Sequence, residues 1–180
     1  MAKIIVVDET RCMGCKICMI QCAMAHTDAA GLAEAIRDGA KLQPRLRVKP
    51  SGRFGAPLMC KHCEDAPCVA SCAKKAISRL SPDAPVLIDA KLCIGCRKCL
   101  RACPFGAIEV SRVGKTVVKC DLCIERIEAG LLPACVAGCP TGALKFVELD
   151  DPLRQRRRED QQRVAKEPAH AGKAEGPDTD

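Results

Sequence analysis

The 180 residues include sixteen cysteines but only three Phe and no Trp or Tyr, too few large side chains for an ordinary core and too few aromatics to stack nucleic-acid bases. The formal charge of +7, from 29 basic and 22 acidic residues, suggests a polyanion-binding surface only while every cysteine counts as a neutral thiol; as thiolates they would more than offset it. No stretch approaches the roughly 18 apolar residues of a membrane span, and the apolar run Ile4–Val7 is too short for a secretory signal, which points to a cytoplasmic chain without a disulfide framework.

In chain order, Lys3–Val7 is predicted as a strand running into the first cysteine group, C-M-G-C-K-I-C-M-I-Q-C, which supplies Cys12, Cys15, Cys18 and Cys22. A short helix over Ala29–Arg37, with Asp28 as its cap and Gly39 beyond, precedes a strand over Arg45–Lys49. The second group, C-K-H-C-E-D-A-P-C-V-A-S-C, holds Cys60, Cys63, Cys68 and Cys72. A hairpin then joins Ala76–Leu80 to Pro85–Asp89 across Ser81-Pro82-Asp83-Ala84. The third group, C-I-G-C-R-K-C-L-R-A-C-P, gives Cys93, Cys96, Cys99 and Cys103, and a second hairpin pairs Ala107–Arg112 with Lys115–Cys120 across Val113-Gly114. Cys120 and Cys123 open the fourth group, a short helix over Ile124–Ala129 ends at Gly130 and Pro133, and Cys135 and Cys139 close it. After Asp150 the chain carries seven basic and seven acidic residues and few large apolar ones, so 151–180 reads as a charged tail in which Arg154–Arg163 could form an exposed helix and the rest is disordered.

The cysteine spacing decides the chemistry. The third group matches the run C-x2-C-x2-C-x3-C-P residue for residue, and the first matches it except that Ala23 follows the fourth cysteine. Three cysteines within seven residues can curl around one face of a cuboidal [4Fe–4S] cluster, while the fourth points away to a second cluster. Zinc motifs use cysteine pairs in separated knuckles, so a structural zinc module is the distant alternative. Cys103-Pro104-Phe105-Gly106 and Cys139-Pro140-Thr141-Gly142 are near copies, and Cys72-Ala73-Lys74-Lys75 is a degenerate one. Sixteen cysteines in four groups leave none over, which implies four clusters and no three-cysteine set with an open iron. At about −2 per ligated cluster, the basic excess becomes internal compensation. The repeated order of strand, ligand loop, helical turn and strand predicts an α+β, ferredoxin-like fold in which clusters replace much of the core.

Over residues 3–149 the chain resembles the four-cluster polyferredoxin electron-transfer subunits of redox complexes. These include the beta subunits of molybdopterin oxidoreductases and the iron–sulfur subunits of formate dehydrogenases and hydrogenases. Through C-A-M-A-H (Cys22–His26), C-K-H-C-E-D-A-P-C and K-C-D-L-C-I-E-R (Lys119–Arg126), it is most similar to the iron–sulfur subunit associated with carbon monoxide dehydrogenase. The resemblance implies an electron relay, not catalytic alone, between such a catalytic subunit and an acceptor such as a hydrogenase. It also implies a location that is cytoplasmic, or peripheral to a membrane complex through a partner.

The same resemblance implies crossed ligand sets. Cys12, Cys15, Cys18 and Cys139 would share one cluster, and Cys120, Cys123, Cys135 and Cys22 its neighbour. Cys60, Cys63, Cys68 and Cys103 would hold a third, and Cys93, Cys96, Cys99 and Cys72 a fourth. Two pseudo-repeated dicluster modules follow within a domain of 1–150, one from about 1–59 and 113–150, the other from about 60–112.

Outside the cysteines, His62 is expected to support or dock rather than ligate, since all four sets are filled. His26 and His170 have no clustered partners in the sequence and are expected to play no catalytic part. Lys16, Lys61, Arg97, Lys98 and Arg101 could offset cluster charge, Met13, Met19, Met24 and Met59 pack around clusters, and Arg156, Arg157 and Arg158 are expected to face solvent in the tail, with docking of a partner as the alternative.

Overall fold

The computed structural model describes residues 3–51 and 54–166. Strand β1 (Lys3–Val7) leads through a 3-10 turn, Glu9–Arg11, into helix α1 (Ile17–Met24). Helix α2 (Leu32–Arg37) and strands β2 (Leu46–Ser51) and β3 (Phe54–Met59) follow. Helix α3 (Pro67–Ala70), strands β4 (Ile77–Ser78) and β5 (Leu87–Ile88), helix α4 (Lys98–Ala102) and strands β6 (Ile108–Val110) and β7 (Val117–Lys119) make up the middle of the chain. Helices α5 (Ile124–Glu128) and α6 (Ala134–Ala137), strand β8 (Leu144–Glu148) and helix α7 (Asp151–Lys166) complete it.

Among the described residues the strands form four separate antiparallel pairs, β1 with β8, β2 with β3, β4 with β5 and β6 with β7. The first joins the two ends of the cysteine-bearing chain in the register Ile4–Val147 and Val6–Lys145. Its β-branched sequence suits a pleated strand, and Ile4 and Ile5 are both buried. Both hairpins expected from the sequence are present with shorter strands. A hydrogen bond from the Asp89 N–H to Ala76 O (2.7 Å) extends the first, and one from the Ser111 N–H to Thr116 O (2.9 Å) extends the second. β3 carries Pro57 and Gly55, two residues that argue against a strand in sequence; it is held as the partner of β2.

Two departures from the sequence reading have physical causes. Helix α2 is capped by Gly31 in extended conformation and not by Asp28; Glu34 reaches back past that cap to accept the Ala30 N–H at 3.2 Å. Residues 151–166, expected as solvated tail with an exposed helix, form the docked α7 because its arginines find fixed acceptors. Arg154 pairs with Asp83 at 2.7 Å and with Glu64 at 3.4 Å, and Arg158 also pairs with Glu64. Arg157 reaches the carbonyls of Lys61 and His62. The rest of the expected tail, with His170, lies outside the described residues.

Two buried clusters organise the packing. One contains Ile5, Leu46, Met59, Leu122 and Leu144 with Cys18, Cys22, Cys120 and Cys135; the other contains Ile77, Val86, Ile108 and Val117 with Cys99. Cys68, Cys72, Cys93 and Cys103 border the second, and Cys60 and Cys139 the first. Helix α1 packs on α6 and α3 on α4, so each helix pair brings cysteines from distant parts of the chain together.

Candidate metal centre

The four ligand loops share one backbone device. The residue just before the second cysteine is left-handed in each, with φ +71° at Gly14, +48° at His62, +70° at Gly95 and +61° at Leu122. Successive peptides turned this way aim N–H groups into one concavity, the kind of nest that binds anions and iron–sulfur centres. The His62 N–H donates to Cys60 Sγ and the Leu122 N–H to Cys120 Sγ, each at 3.4 Å. Arg45 N–H donates to Cys22 Sγ at 3.2 Å and Ala107 N–H to Cys103 Sγ at 3.4 Å. Glycine meets the left-handed requirement without cost in two loops. Gly95 has a second reason, since a Cβ there would lie 2.1 Å from Lys115 O. His62 and Leu122 are held left-handed by burial.

Cysteines far apart in sequence meet in space. A cavity of about 110 Å³ is lined by Cys72, Cys93, Cys96 and Cys99. A smaller one of about 20 Å³ is lined by Cys60, Cys63, Cys68 and Cys103, together with Pro104, Phe105 and Val86. Burial, then the nearby Cys15, Cys139 and Cys12, pushes the Cys18 thiol up to about 11. Burial, then Cys120, Cys22 and Cys123, raises Cys135 further still. Thiols from different cysteine groups of the sequence thus meet in space. Adjacent groups also feel one another, through Cys18 on Cys135 and Cys60 on Cys120.

Burial pushes Cys63 and Cys68 to about 11 and Cys120 to about 12. Such thiols resist ionisation alone, and crowding four of them compounds the penalty. An all-sulfur donor set of this kind fits a cluster whose irons take the thiolates directly. Cys139 departs from the rest. Burial would raise it, but hydrogen bonds from Leu144, Thr141 and Ala143 outweigh that and lower it.

Several supporting residues were not legible in sequence. His26, expected to lack partners, donates to Cys22 O at 2.7 Å and to Asp121 at 3.1 Å. Burial opposes its charge, but the Asp121 and Cys22 hydrogen bonds prevail and raise its pKa to about 9. Arg45 pairs with the same Asp121 carboxylate. This trio braces the loop carrying Cys120 and Cys123 against helix α1. His26, Asp121 and Cys123 place one donor atom each within 4.8 Å of one another, and both ring nitrogens of His26 are already engaged by Cys22 O and Asp121. His62 is buried and accepts the Val86 N–H on Nδ1 at 3.1 Å, so it supports its loop. Met59 is core; Met13 is exposed.

Residues 53–149 match the 4Fe-4S dicluster domain family. The chain belongs to that family. It is therefore an iron–sulfur protein of the electron-transfer type, and the match decides for iron over zinc. Its relatives agree in class. YsaA of Escherichia coli (strain K12), whose name assigns it provisionally to electron transport, is 39% identical over 88% of this chain and 98% of its own. An iron–sulfur protein of Rhodospirillum rubrum is 38% identical over 82% of this chain and 83% of its own. A tetrathionate reductase component of Salmonella typhimurium is 34% identical over 81% of this chain, which spans only 58% of that relative. No helix among the described residues is long and apolar enough to cross a membrane.

Proposed function

We propose that this chain is a relay of four [4Fe–4S] clusters, held by the four crossed cysteine sets and arranged in the order Cys12 set, Cys120 set, Cys60 set, Cys93 set. The observation that carries the reading is the grouping of the sixteen thiols in space. Each helix pair carries cysteines of two neighbouring sets, α1 and α6 for the first two, and α3 and α4, with the residues just beyond them, for the last two. The central sets adjoin where Cys60 acts on Cys120. Cys15 and Cys96, the exposed cysteines, belong to the two outer sets, where electrons would enter and leave.

A bound cluster supplies one-electron storage. The chain fixes the spacing, excludes water and donates N–H groups to sulfur, and these set the potentials. With four cysteines in each set no iron is left open, so the role is transfer and not catalysis. Iron and acid-labile sulfide on anaerobically purified protein should come to about sixteen of each per chain; about eight of each would cut the relay to two clusters.

For the donor, the reading favours a carbon monoxide dehydrogenase, feeding a hydrogenase or another reductase. The C-A-M-A-H segment supports it: His26 of that segment links Cys22 to the Asp121 of K-C-D-L-C, so the two stretches that suggested this partner form one unit. A formate dehydrogenase, hydrogenase or molybdopterin enzyme is the second reading, favoured by the tetrathionate reductase relative. Each donor enzyme with its own substrate, mixed with oxidised relay, separates them. Bleaching of the cluster absorbance with carbon monoxide dehydrogenase and carbon monoxide at catalytic amounts of enzyme is expected. Faster bleaching by formate dehydrogenase and formate would reassign the partner.

A further inference from the structure

Three buried or half-buried cations from separate elements converge on the Cys60–Cys63 loop and its neighbour. Arg157 of α7 donates through Nη2 to the carbonyls of Lys61 and His62, the latter at 2.9 Å. Arg79, just after β4, donates through Nη2 to His62 O at 2.7 Å and Cys63 O at 2.6 Å. Lys119, 4% exposed, donates to Val86 O and, at 3.0 Å, to Cys120 O. Among the described residues none of the three has a carboxylate at ion-pair distance, and Nε of both arginines is buried without a partner, as is His62 Nε2. Buried cations without a counter-ion are strongly disfavoured. The anionic groups that act on Arg157 are first the ligand thiol Cys63 and then Glu64.

The hydrogen bonds show how the charge reaches the sulfur. A peptide's C=O and the next N–H point in opposite directions. Arg157 holds the carbonyl of the Lys61–His62 peptide, and the N–H of that same peptide donates to Cys60 Sγ at 3.4 Å. Pulling on the oxygen polarises the N–H toward the ligand sulfur. Burial pulls the Arg157 pKa down, and Cys63 is the first electrostatic partner that pushes it back up.

We propose that Arg157, assisted by Arg79, raises the reduction potential of the cluster held by Cys60, Cys63, Cys68 and Cys103, which makes α7 part of the redox machinery. The proposal rests on that cysteine set holding a cluster. A guanidinium beside the loop stabilises the extra electron of the reduced cluster, both by its charge and through the polarised peptide. Electrons would then pause at this inner cluster, away from the exposed outer ones.

The test is a redox titration of the holoprotein followed by electron paramagnetic resonance, with iron counted in every sample. Arg157→Gln should keep its full iron and lower one midpoint by at least a tenfold change in the reduction equilibrium, 59 mV for one electron. Arg157→Lys, which keeps the charge, should restore most of the shift. Arg79→Gln should lower the same midpoint, and that signal should be the one missing from Cys103→Ala protein. Arg156→Gln, one residue away on α7, should move nothing. Unchanged midpoints at full iron in Arg157→Gln and Arg79→Gln overturn the proposal while leaving the cluster assignment intact. Equal shifts in Arg157→Lys and Arg157→Gln, or loss of iron in all three variants, also overturn it and make Arg157 a purely structural clamp. An iron count short by a whole cluster in the unaltered chain would instead sink the assignment beneath it.

Discussion

Cys103→Ala is expected to empty the site of Cys60, Cys63 and Cys68, and to leave Cys93, Cys96 and Cys99, the run in which it stands, still loaded. Helix α4 places Cys99 at its buried second position and ends at Ala102, so Cys103 follows in extended backbone with φ −80° and ψ 111°. That change of direction points Cys103 into the cavity shared with Cys60, Cys63 and Cys68, while Cys99 is affected by Cys93, Cys96 and Cys72. The Ala107 N–H that reaches Cys103 Sγ fixes the same orientation. Iron should fall by roughly four of about sixteen atoms per chain. Cys139→Ala is the companion case and should unload the Cys12, Cys15 and Cys18 site while Cys120, Cys123 and Cys135 keep theirs. Spectra showing each substitution emptying its own sequence-local run would refute the crossed pairing at both ends.

The iron–sulfur class of the chemistry was the most legible part of the sequence, because cysteine spacing is a local constraint written in consecutive residues. The two hairpins and β1 were legible for the same reason: Val113-Gly114 and Ser81-Pro82-Asp83-Ala84 are turn signals between short β-forming runs. What sequence missed is tertiary. β3 contains a proline and a glycine that count against a strand, and only its pairing with β2 makes one. His26 looked isolated because its partner Asp121 lies 95 residues away. The arginines of α7 looked like a solvated face because Glu64, Asp83 and the Lys61 carbonyl, which order them, lie 71–96 residues upstream. A periodic apolar stripe would have marked a docked helix, but α7 is held mainly by ion pairs and carbonyls, and these leave no periodicity to read.

Removing iron should unfold the chain, and the architecture gives the reason. Each sheet has only two strands, and an isolated two-stranded pair is marginal in water at best. Among the described residues, seven of the buried apolar ones are cysteines and six are alanines, against ten larger ones (Ile4, Ile5, Leu46, Met59, Ile77, Val86, Ile108, Val117, Leu122 and Leu144). Six alanines contribute little area, and each cysteine adds only one sulfur beyond its Cβ. Metal ligation must therefore supply much of the folding free energy, as it does in small metal-dependent domains. The proposed crossing would raise the cost of loss, since Cys22 and Cys139 would tie β1 and α1 to α6 and β8. Anaerobic treatment with an iron chelator in mild denaturant should abolish the far-ultraviolet signal of the strands and helices in one step with cluster bleaching. Circular dichroism that retained native secondary structure after complete bleaching would show that the ten larger side chains suffice, and that the clusters are guests in a fold that stands without them.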